Sequence, residues 1–146
     1  MNRQWKITLL AVLLAGNLLF IWGNSLLPAS ASSELSGGLL EMLGWVGEIA
    51  ETVLRKLAHF SEFACLGFLF CLLFHTLGSR SLSAPLLCGI LAAMVDETIQ
   101  LGVPGRSGAV IDVWIDTAGV TAGVAAALIL LWLIQKHKLK SGGNSK

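Results

Sequence analysis

Residues 55–77 read RKLAHFSEFACLGFLFCLLFHTL, an apolar run that opens with two basic residues, a histidine and a glutamate. About 20 mostly apolar residues are enough for a helix to cross the hydrocarbon core of a bilayer. Ionisable side chains in or near that core cost roughly 2.5–3.5 kcal/mol each on insertion scales, so they mark function by default. The run therefore predicts a membrane-spanning helix over about residues 57–77, with part of a functional site at its first end.

The rest of the chain extends this pattern to four spans. Of 146 residues, 55% are hydrophobic and only 13% are charged, whereas a soluble domain has about 25% charged residues. Further apolar stretches cover about 7–24, 82–103 and 111–134. The short polar turn at residues 78–81 predicts an antiparallel hairpin of the second and third spans, and Pro104 and Gly105 mark the end of the third. The sequence thus predicts an all-α integral membrane bundle of four transmembrane helices, in a single domain over residues 1–146. A net charge of +1 without a basic run argues against a nucleic-acid partner.

Basic residues outside the spans predict the orientation of the chain. Because loops rich in Lys and Arg stay in the cytoplasm, both termini are expected to be cytoplasmic. The loop 25–54 and the loop around Arg106 then face outward. A cleavable signal peptide is the alternative for the first span, since Ala29-Ser30-Ala31 is similar to a cleavage site. The basic residues are Arg3, Lys6, Arg80, Lys136, Lys138, Lys140 and Lys146.

Two further patterns concern packing. In the fourth span, Gly119 and Gly123 permit close contact between helices, and packing within the chain is favoured over dimerisation. In the first loop, apolar residues recur at helical spacing, which predicts an amphipathic helix on the outer membrane surface between the first and second spans. These residues are Leu35, Leu39, Met42, Leu43, Val46, Ile49, Ala50 and Val53.

Four ionisable residues lie within apolar sequence near the outward ends of the second and third spans. His59 and Glu62 are three residues apart, so they share a helical face, and Asp96 and Glu97 lie about 9 Å inside the end of the third span. These groups can exchange protons. Imidazole and carboxylates can also coordinate a divalent cation, which is the one cofactor that the set suggests. All four are candidate catalytic residues, as acid–base or coordinating groups.

Six more polar residues surround these four and are candidate binding groups. Five carboxylates in all face three fixed cations and one histidine, so full ionisation leaves excess negative charge. Protonation, a bound cation or a cationic ligand group must offset it. A purely structural network of ion pairs is the alternative reading of the whole set. The candidate binding residues are Arg55, Lys56, Gln100, Arg106, Asp112 and Asp116.

Two tracts of the sequence resemble the signatures of VanZ-like membrane proteins. The first is RKxxHFxEFxxLG at residues 55–67, and the second is DExxQxxVPGRxGxxxDV at residues 96–113. The tract WGNSL at residues 22–26 is also similar to members of the family, and the resemblance covers roughly residues 7–134. Many members have Asn in place of Asp116 and Tyr in place of Phe63. The resemblance implies a multi-pass protein of the bacterial cytoplasmic membrane, and the founding members are linked to resistance to glycopeptide antibiotics such as teicoplanin.

The residues and the resemblance together favour binding, or modification, of an envelope lipid or glycan precursor at the outer leaflet. Membrane lipids, and anionic envelope precursors among them, are the expected partners, because three cations suit a phosphate group. Two alternatives stay open: a membrane-embedded acid–base or metal-assisted transferase or hydrolase, and a structural partner of another membrane protein. An ion-coupled transporter is disfavoured because the inner halves of the spans are apolar.

Overall fold

A computed structural model describes residues 2–31, 34, 37, 38, 48–106 and 108–142. Within these residues the chain forms four long helices, α1 (Arg3–Ser25), α2 (Glu48–Leu77), α3 (Ser83–Leu101) and α4 (Val110–Gly142). Each is long and apolar enough to cross a membrane, and the described residues contain no strand. The predicted all-α bundle of four spans is confirmed.

The helices extend further than the predicted spans at two places. Helix α2 begins at Glu48 rather than near residue 57, and α4 continues to Gly142 rather than ending near residue 134. Hydropathy marks where the lipid begins, whereas helical hydrogen bonding continues into water. At the end of α4 the side chains of Lys136, Lys138 and Lys140 favour this extension, because cations stabilise the negative end of a helix dipole.

The predicted amphipathic helix in the first loop falls largely outside the described residues. Ile49, Ala50 and Val53, the last of its apolar positions, belong to α2. The remaining positions, Leu35, Leu39, Met42, Leu43 and Val46, lie in the part of the chain that the structure does not describe. A helix on the membrane surface therefore stays a prediction.

Glycines on α4 and α2 let these two helices pack backbone to backbone. Gly119 faces the carbonyl oxygen of Phe60, and Gly123 faces that of Ala64, so that a side chain at either glycine would meet main-chain atoms. In the reverse direction, Gly67 of α2 faces the carbonyl of Val120. Small residues allow this close approach, which is how spanning helices associate in lipid. The prediction that the Gly119–Gly123 surface packs within the chain is confirmed.

Helices α1 and α3 complete the bundle against this pair. Gly89 of α3 lies against the side chain of Val120, and Ile21 of α1 is fully buried. Helix α1 thus contributes buried side chains to the hydrophobic core. The buried apolar residues are Leu14, Ile21, Phe63, Leu66, Cys71, Ala92, Ala93, Val120, Val124 and Ala127.

Residues 78–81 join α2 and α3 in a tight antiparallel hairpin, as predicted. The N–H of Gly78 donates to the carbonyl of His75 and the N–H of Ser79 to that of Phe74, while Gly78 has φ +94°. This is a Schellman ending, which needs a residue in the left-handed region. Arg3 caps the same helix end from α1, with Nε 3.0 Å from the carbonyl oxygen of Thr76 and Nη2 2.9 Å from that of Leu77.

The antiparallel hairpins bring the ends of α1 and α3 to the same side of the bundle as the beginnings of α2 and α4. We call this side the polar end, because it holds all ten predicted site residues. The side that contains Arg3 and the Gly78 turn is the opposite end. Membrane-spanning helices with this connectivity place the predicted site at one boundary between lipid and water.

The packing of α4 on α2 predicts opposite effects for two glycine substitutions. Gly123→Ala is expected to lower the free energy of unfolding by about 1–3 kcal/mol, because the added methyl group meets the Ala64 carbonyl. Gly16 of α1 has nothing within 4 Å of an added Cβ. Gly16→Ala is therefore expected to be neutral or slightly stabilising, since alanine is the better helix former.

Thermal unfolding of both variants in the same mild detergent checks this prediction. Equal melting temperatures for Gly123→Ala and Gly16→Ala would contradict the close approach of α4 to α2.

Candidate functional site

A small cavity opens at the polar end and collects most of the predicted site residues. Its volume is about 120 Å³. Of the two predicted residues that do not line it, Asp96 is buried behind His59 and Glu62 is half-buried. Eight of the ten predicted residues line its wall: Arg55, Lys56, His59, Glu97, Gln100, Arg106, Asp112 and Asp116.

At the inner wall of the cavity an imidazole lies near two carboxylates, one on the wall and one buried behind it. His59 Nδ1 of α2 lies 3.9 Å from Asp96 Oδ2 of α3 and 3.9 Å from Asp116 Oδ1 of α4. Asp96 is 0% exposed and Asp116 is 1% exposed. Gln100, one turn beyond Asp96 on α3, donates to Asp96 Oδ2 at 2.9 Å. Three spanning helices thus contribute one group each to a contact away from water.

Buried oxygen atoms in this region lack hydrogen-bond partners among the described residues. They include Asp96 Oδ1, Glu97 Oε1, Glu62 Oε2 and both carboxylate oxygens of Asp116. A buried polar atom without a partner costs about 1–3 kcal/mol, and a buried charge costs more. Much of the excess negative charge predicted from the sequence therefore falls on carboxylate oxygens that accept no hydrogen bond from the described residues.

Glu97 supports the start of α4. Its Oε2 accepts a hydrogen bond from the backbone N–H of Ala109 at 2.8 Å, and Ala109 immediately precedes the first residue of α4. The first N–H groups of a helix have no partner within the helix, and the positive end of its dipole favours a carboxylate. One oxygen of this candidate catalytic residue thus has a structural role.

Glu62 is held by Asn24, a residue that was not among the predicted site residues. Asn24 Nδ2 of α1 donates to Glu62 Oε1 at 3.1 Å. Asn24 belongs to the WGNSL tract, which carried part of the family resemblance, and a polar amide near the end of an apolar helix was the available signal. The contact makes α1 a contributor to the site.

Arg106 ties the turn between α3 and α4 to the end of α1. Its Nε lies 2.9 Å from the carbonyl oxygen of Leu27, and its Nη2 lies 3.1 Å from that of Asn24. Burial lowers the pKa of Arg106, as does the nearby Arg55, while neighbouring acids raise it. A guanidinium remains charged in proteins, so Arg106 brings a positive charge to the cavity.

The turn that presents Arg106 depends on Pro104 and Gly105. The N–H of Arg106 donates to the carbonyl of Val103, and Gly105 has φ +77°. Proline followed by a left-handed glycine is the pattern of a type II turn. This geometry turns the chain back over the cavity.

Lys56 and Asp112 form an ion pair at the rim of the cavity. Lys56 Nζ lies 3.1 Å from Asp112 Oδ1, and the two side chains are 38% and 35% exposed. Ion pairs with this exposure contribute about 0–1 kcal/mol. Either partner can therefore exchange for a ligand group at little cost.

The groups that approach His59 in the structure differ from the predicted ones. The predicted coordinating set was His59, Glu62, Asp96 and Glu97. Among the described residues, the group that could share a metal ion is His59 with Asp96 and Asp116. Asp116 replaces the two glutamates because the rotation of α4 turns it toward His59, whereas Glu62 and Glu97 reach Asn24 and Ala109.

The contact between Asn24 and Glu62 predicts unequal effects for two asparagines of α1. Asn24→Ala is expected to lower the free energy of unfolding by about 1–3 kcal/mol, because it removes the donor to a buried carboxylate oxygen. Asn17→Ala is the matched control, since the buried amide oxygen of Asn17 has no partner among the described residues.

Thermal unfolding in mild detergent, combined with a double-mutant cycle against Glu62→Gln, measures the coupling. An Asn24→Ala variant no less stable than Asn17→Ala would contradict the assigned role of Asn24.

Comparison with known proteins agrees with the two signature tracts. Residues 7–133 match the family model described as VanZ/LLP1. No curated protein and no solved structure matches the chain. The match overlaps all four spans and includes every residue of the cavity wall. This multi-pass helical membrane protein therefore belongs to the VanZ/LLP1 family.

Proposed function

We propose that the chain binds the phosphate-bearing headgroup of an anionic envelope lipid, or of a lipid-linked glycan precursor, in the cavity at the polar end. Membership of a family linked to glycopeptide resistance supports a role in the cell envelope. Teicoplanin is the antibiotic that the resemblance suggests.

The observation that carries the proposal is the set of cations on the cavity wall. Arg55, Lys56 and Arg106 all line it, from the start of α2 and from the turn before α4. Cationic donors bind phosphate oxygens through charge-assisted hydrogen bonds, which are about twice as strong as neutral ones. Lys56 can exchange Asp112 for a phosphate, because their ion pair is half-exposed.

The first turns of α4 suit a ligand that remains partly in lipid. Asp112 and Asp116 face the cavity, whereas Val110, Ile111 and Trp114 are exposed on the outer side of the same turns, at 77%, 58% and 67%. In a membrane this apolar surface faces the acyl region, and tryptophan favours the boundary with water. A headgroup can thus enter the cavity while its chains stay beside α4.

Charge at the opposite end supports an outward orientation of the cavity. Arg3, Lys6, Arg80 and the lysines after residue 135 lie at that end or beyond it. By the positive-inside rule this end belongs in the cytoplasm, with both termini, and the polar end belongs at the outer leaflet of the cytoplasmic membrane.

Neutralising Lys56 is expected to weaken phosphate binding. Lys56→Gln should reduce the affinity for polyprenyl monophosphate about tenfold, because a hydrogen bond to a charged group is worth about 1.5–3 kcal/mol. Lys136→Gln removes the same charge at the far end of α4, where Lys136 lies over Trp132, and should leave the affinity unchanged. Native mass spectrometry of the full chain in mild detergent, titrated with the lipid, gives both affinities.

A double variant and two control ligands define what the cavity recognises. The double variant Lys56→Gln/Asp112→Asn keeps the net charge, and its affinity should stay low if Lys56 contacts the phosphate directly. Uncharged polyprenol and inorganic phosphate separate the contributions of chain and headgroup. Equal binding of polyprenol and its phosphate, or equal affinities for Lys56→Gln and Lys136→Gln, would overturn the proposal.

A second candidate function is acid–base chemistry on the bound lipid, as in a membrane-embedded transferase or hydrolase. The observation that favours it is the position of the His59 imidazole, 3.9 Å from carboxylate oxygens of both Asp96 and Asp116. An imidazole next to carboxylates can accept and return a proton. A structural role beside another membrane protein stays a prediction, although Gly119 and Gly123, small residues that could pack on a partner helix, are in contact with α2.

Substitution of His59 separates catalysis from binding. If the protein is an enzyme, His59→Gln should abolish turnover of a polyprenyl diphosphate while binding of polyprenyl monophosphate is retained. Product analysis by mass spectrometry, with Lys136→Gln as the control, measures this. Full turnover by His59→Gln would exclude His59 as the acid–base group.

A further inference from the structure

We infer that His59, Asp96 and Asp116 bind one divalent transition-metal ion, of the Zn²⁺ or Mn²⁺ class, at the inner wall of the cavity. This metal site goes beyond headgroup binding, since it uses the buried acids rather than the cations at the rim. It does not depend on the proposed lipid ligand.

The distances between the three groups fit a shared ion. One potential ligand atom from each residue lies within 4.8 Å of the other two, and His59 Nδ1 is 3.9 Å from each nearest carboxylate oxygen. Metal–ligand distances of about 2.0–2.6 Å place two ligands of one ion about 3–5 Å apart. The three atoms therefore need little movement to coordinate.

The unpartnered carboxylate of Asp116 is an independent indication of a ligand. Its side chain is 1% exposed and lines the cavity, and neither of its oxygens has a hydrogen-bond partner among the described residues. Two of the three cations on the cavity wall are directed elsewhere, since Lys56 pairs with Asp112 and Arg106 donates to backbone carbonyls. A bound cation supplies the missing partner for Asp116, beside Asp96 Oδ2.

Gln100 supports the metal ligand Asp96 from outside. Its side-chain amide donates to Asp96 Oδ2 at 2.9 Å and is itself 93% buried, with 7% exposed. Hydrogen bonds of this kind orient coordinating carboxylates, and their loss typically weakens metal binding about 10–100-fold. Gln100 is thus a positioning residue in this site.

The ligand chemistry selects the class of ion. One imidazole with two carboxylates suits Zn²⁺ or Mn²⁺, whereas Ca²⁺ and Mg²⁺ favour sets made of oxygen atoms alone. His59 and Asp116 both line the cavity, so the remaining coordination positions face its interior. An exogenous oxygen ligand can occupy those positions.

Metal titration of the full chain tests the inference. The protein is purified in mild detergent, treated with a chelator and titrated with Mn²⁺, with free Mn²⁺ followed by electron paramagnetic resonance and Zn²⁺ by elemental analysis. We expect one ion per chain. Asp116→Asn, which preserves side-chain volume, should weaken binding at least tenfold, and Gln100→Leu by about tenfold.

The matched control is Glu51→Gln, which removes one carboxylate from α2 outside the cavity and should leave metal affinity unchanged. His59→Gln removes a different ligand and should also weaken metal binding. It provides an independent test if circular dichroism shows that Asp116→Asn does not fold. No binding of Mn²⁺ or Zn²⁺ at millimolar concentration, or equal affinities for Asp116→Asn and Glu51→Gln, would overturn the metal site. Titration of the metal-free protein with polyprenyl monophosphate tests lipid binding separately.

Discussion

The close packing of α4 along α2 is the contact on which the rest of the site depends. The two helices run parallel, and their contacts recur at about one helical turn. Lys56 meets Asp112 and His59 meets Asp116, and deeper along α4 Gly119 meets Phe60 and Gly123 meets Ala64. The glycines in the deeper half of this series remove side chains from the interface, so the two backbones can approach. The polar pairs above them are held in register by that approach.

Several charged side chains at the ends of the helices form hydrogen bonds with backbone groups. Glu97 accepts the N–H before α4, Arg106 donates to the carbonyls at the end of α1, and Arg3 does the same for α2. Within a bilayer every main-chain polar group needs a hydrogen-bond partner in the protein, so these contacts stabilise the ends of the helices. Of the five buried carboxylate oxygens that have no hydrogen-bond partner among the described residues, three belong to Asp96 and Asp116.

Apolar length and the turn residues were enough to predict the number of helices, the hairpin at Gly78 and the end of the bundle at which the polar residues gather. The partners within the site were not predictable in the same way. Whether Asp116 or Glu97 approaches His59 depends on the rotation of α4 and α3 about their axes, which local spacing does not define. Asn24 and Arg3 contact residues more than 35 positions away in the sequence, and such contacts can be identified only once the bundle is assembled.

The size of the cavity has a consequence for selectivity. At about 120 Å³, it is well below the roughly 300–1,000 Å³ of pockets that enclose a drug-sized ligand. A cavity of this size suits a phosphate-sized group better than a phosphate with its attached sugar. If the protein binds a lipid-linked precursor as proposed, the glycan would remain outside the cavity, and recognition would depend on the phosphate between lipid and sugar rather than on the sugar. Such a binder would tolerate variation in the attached glycan.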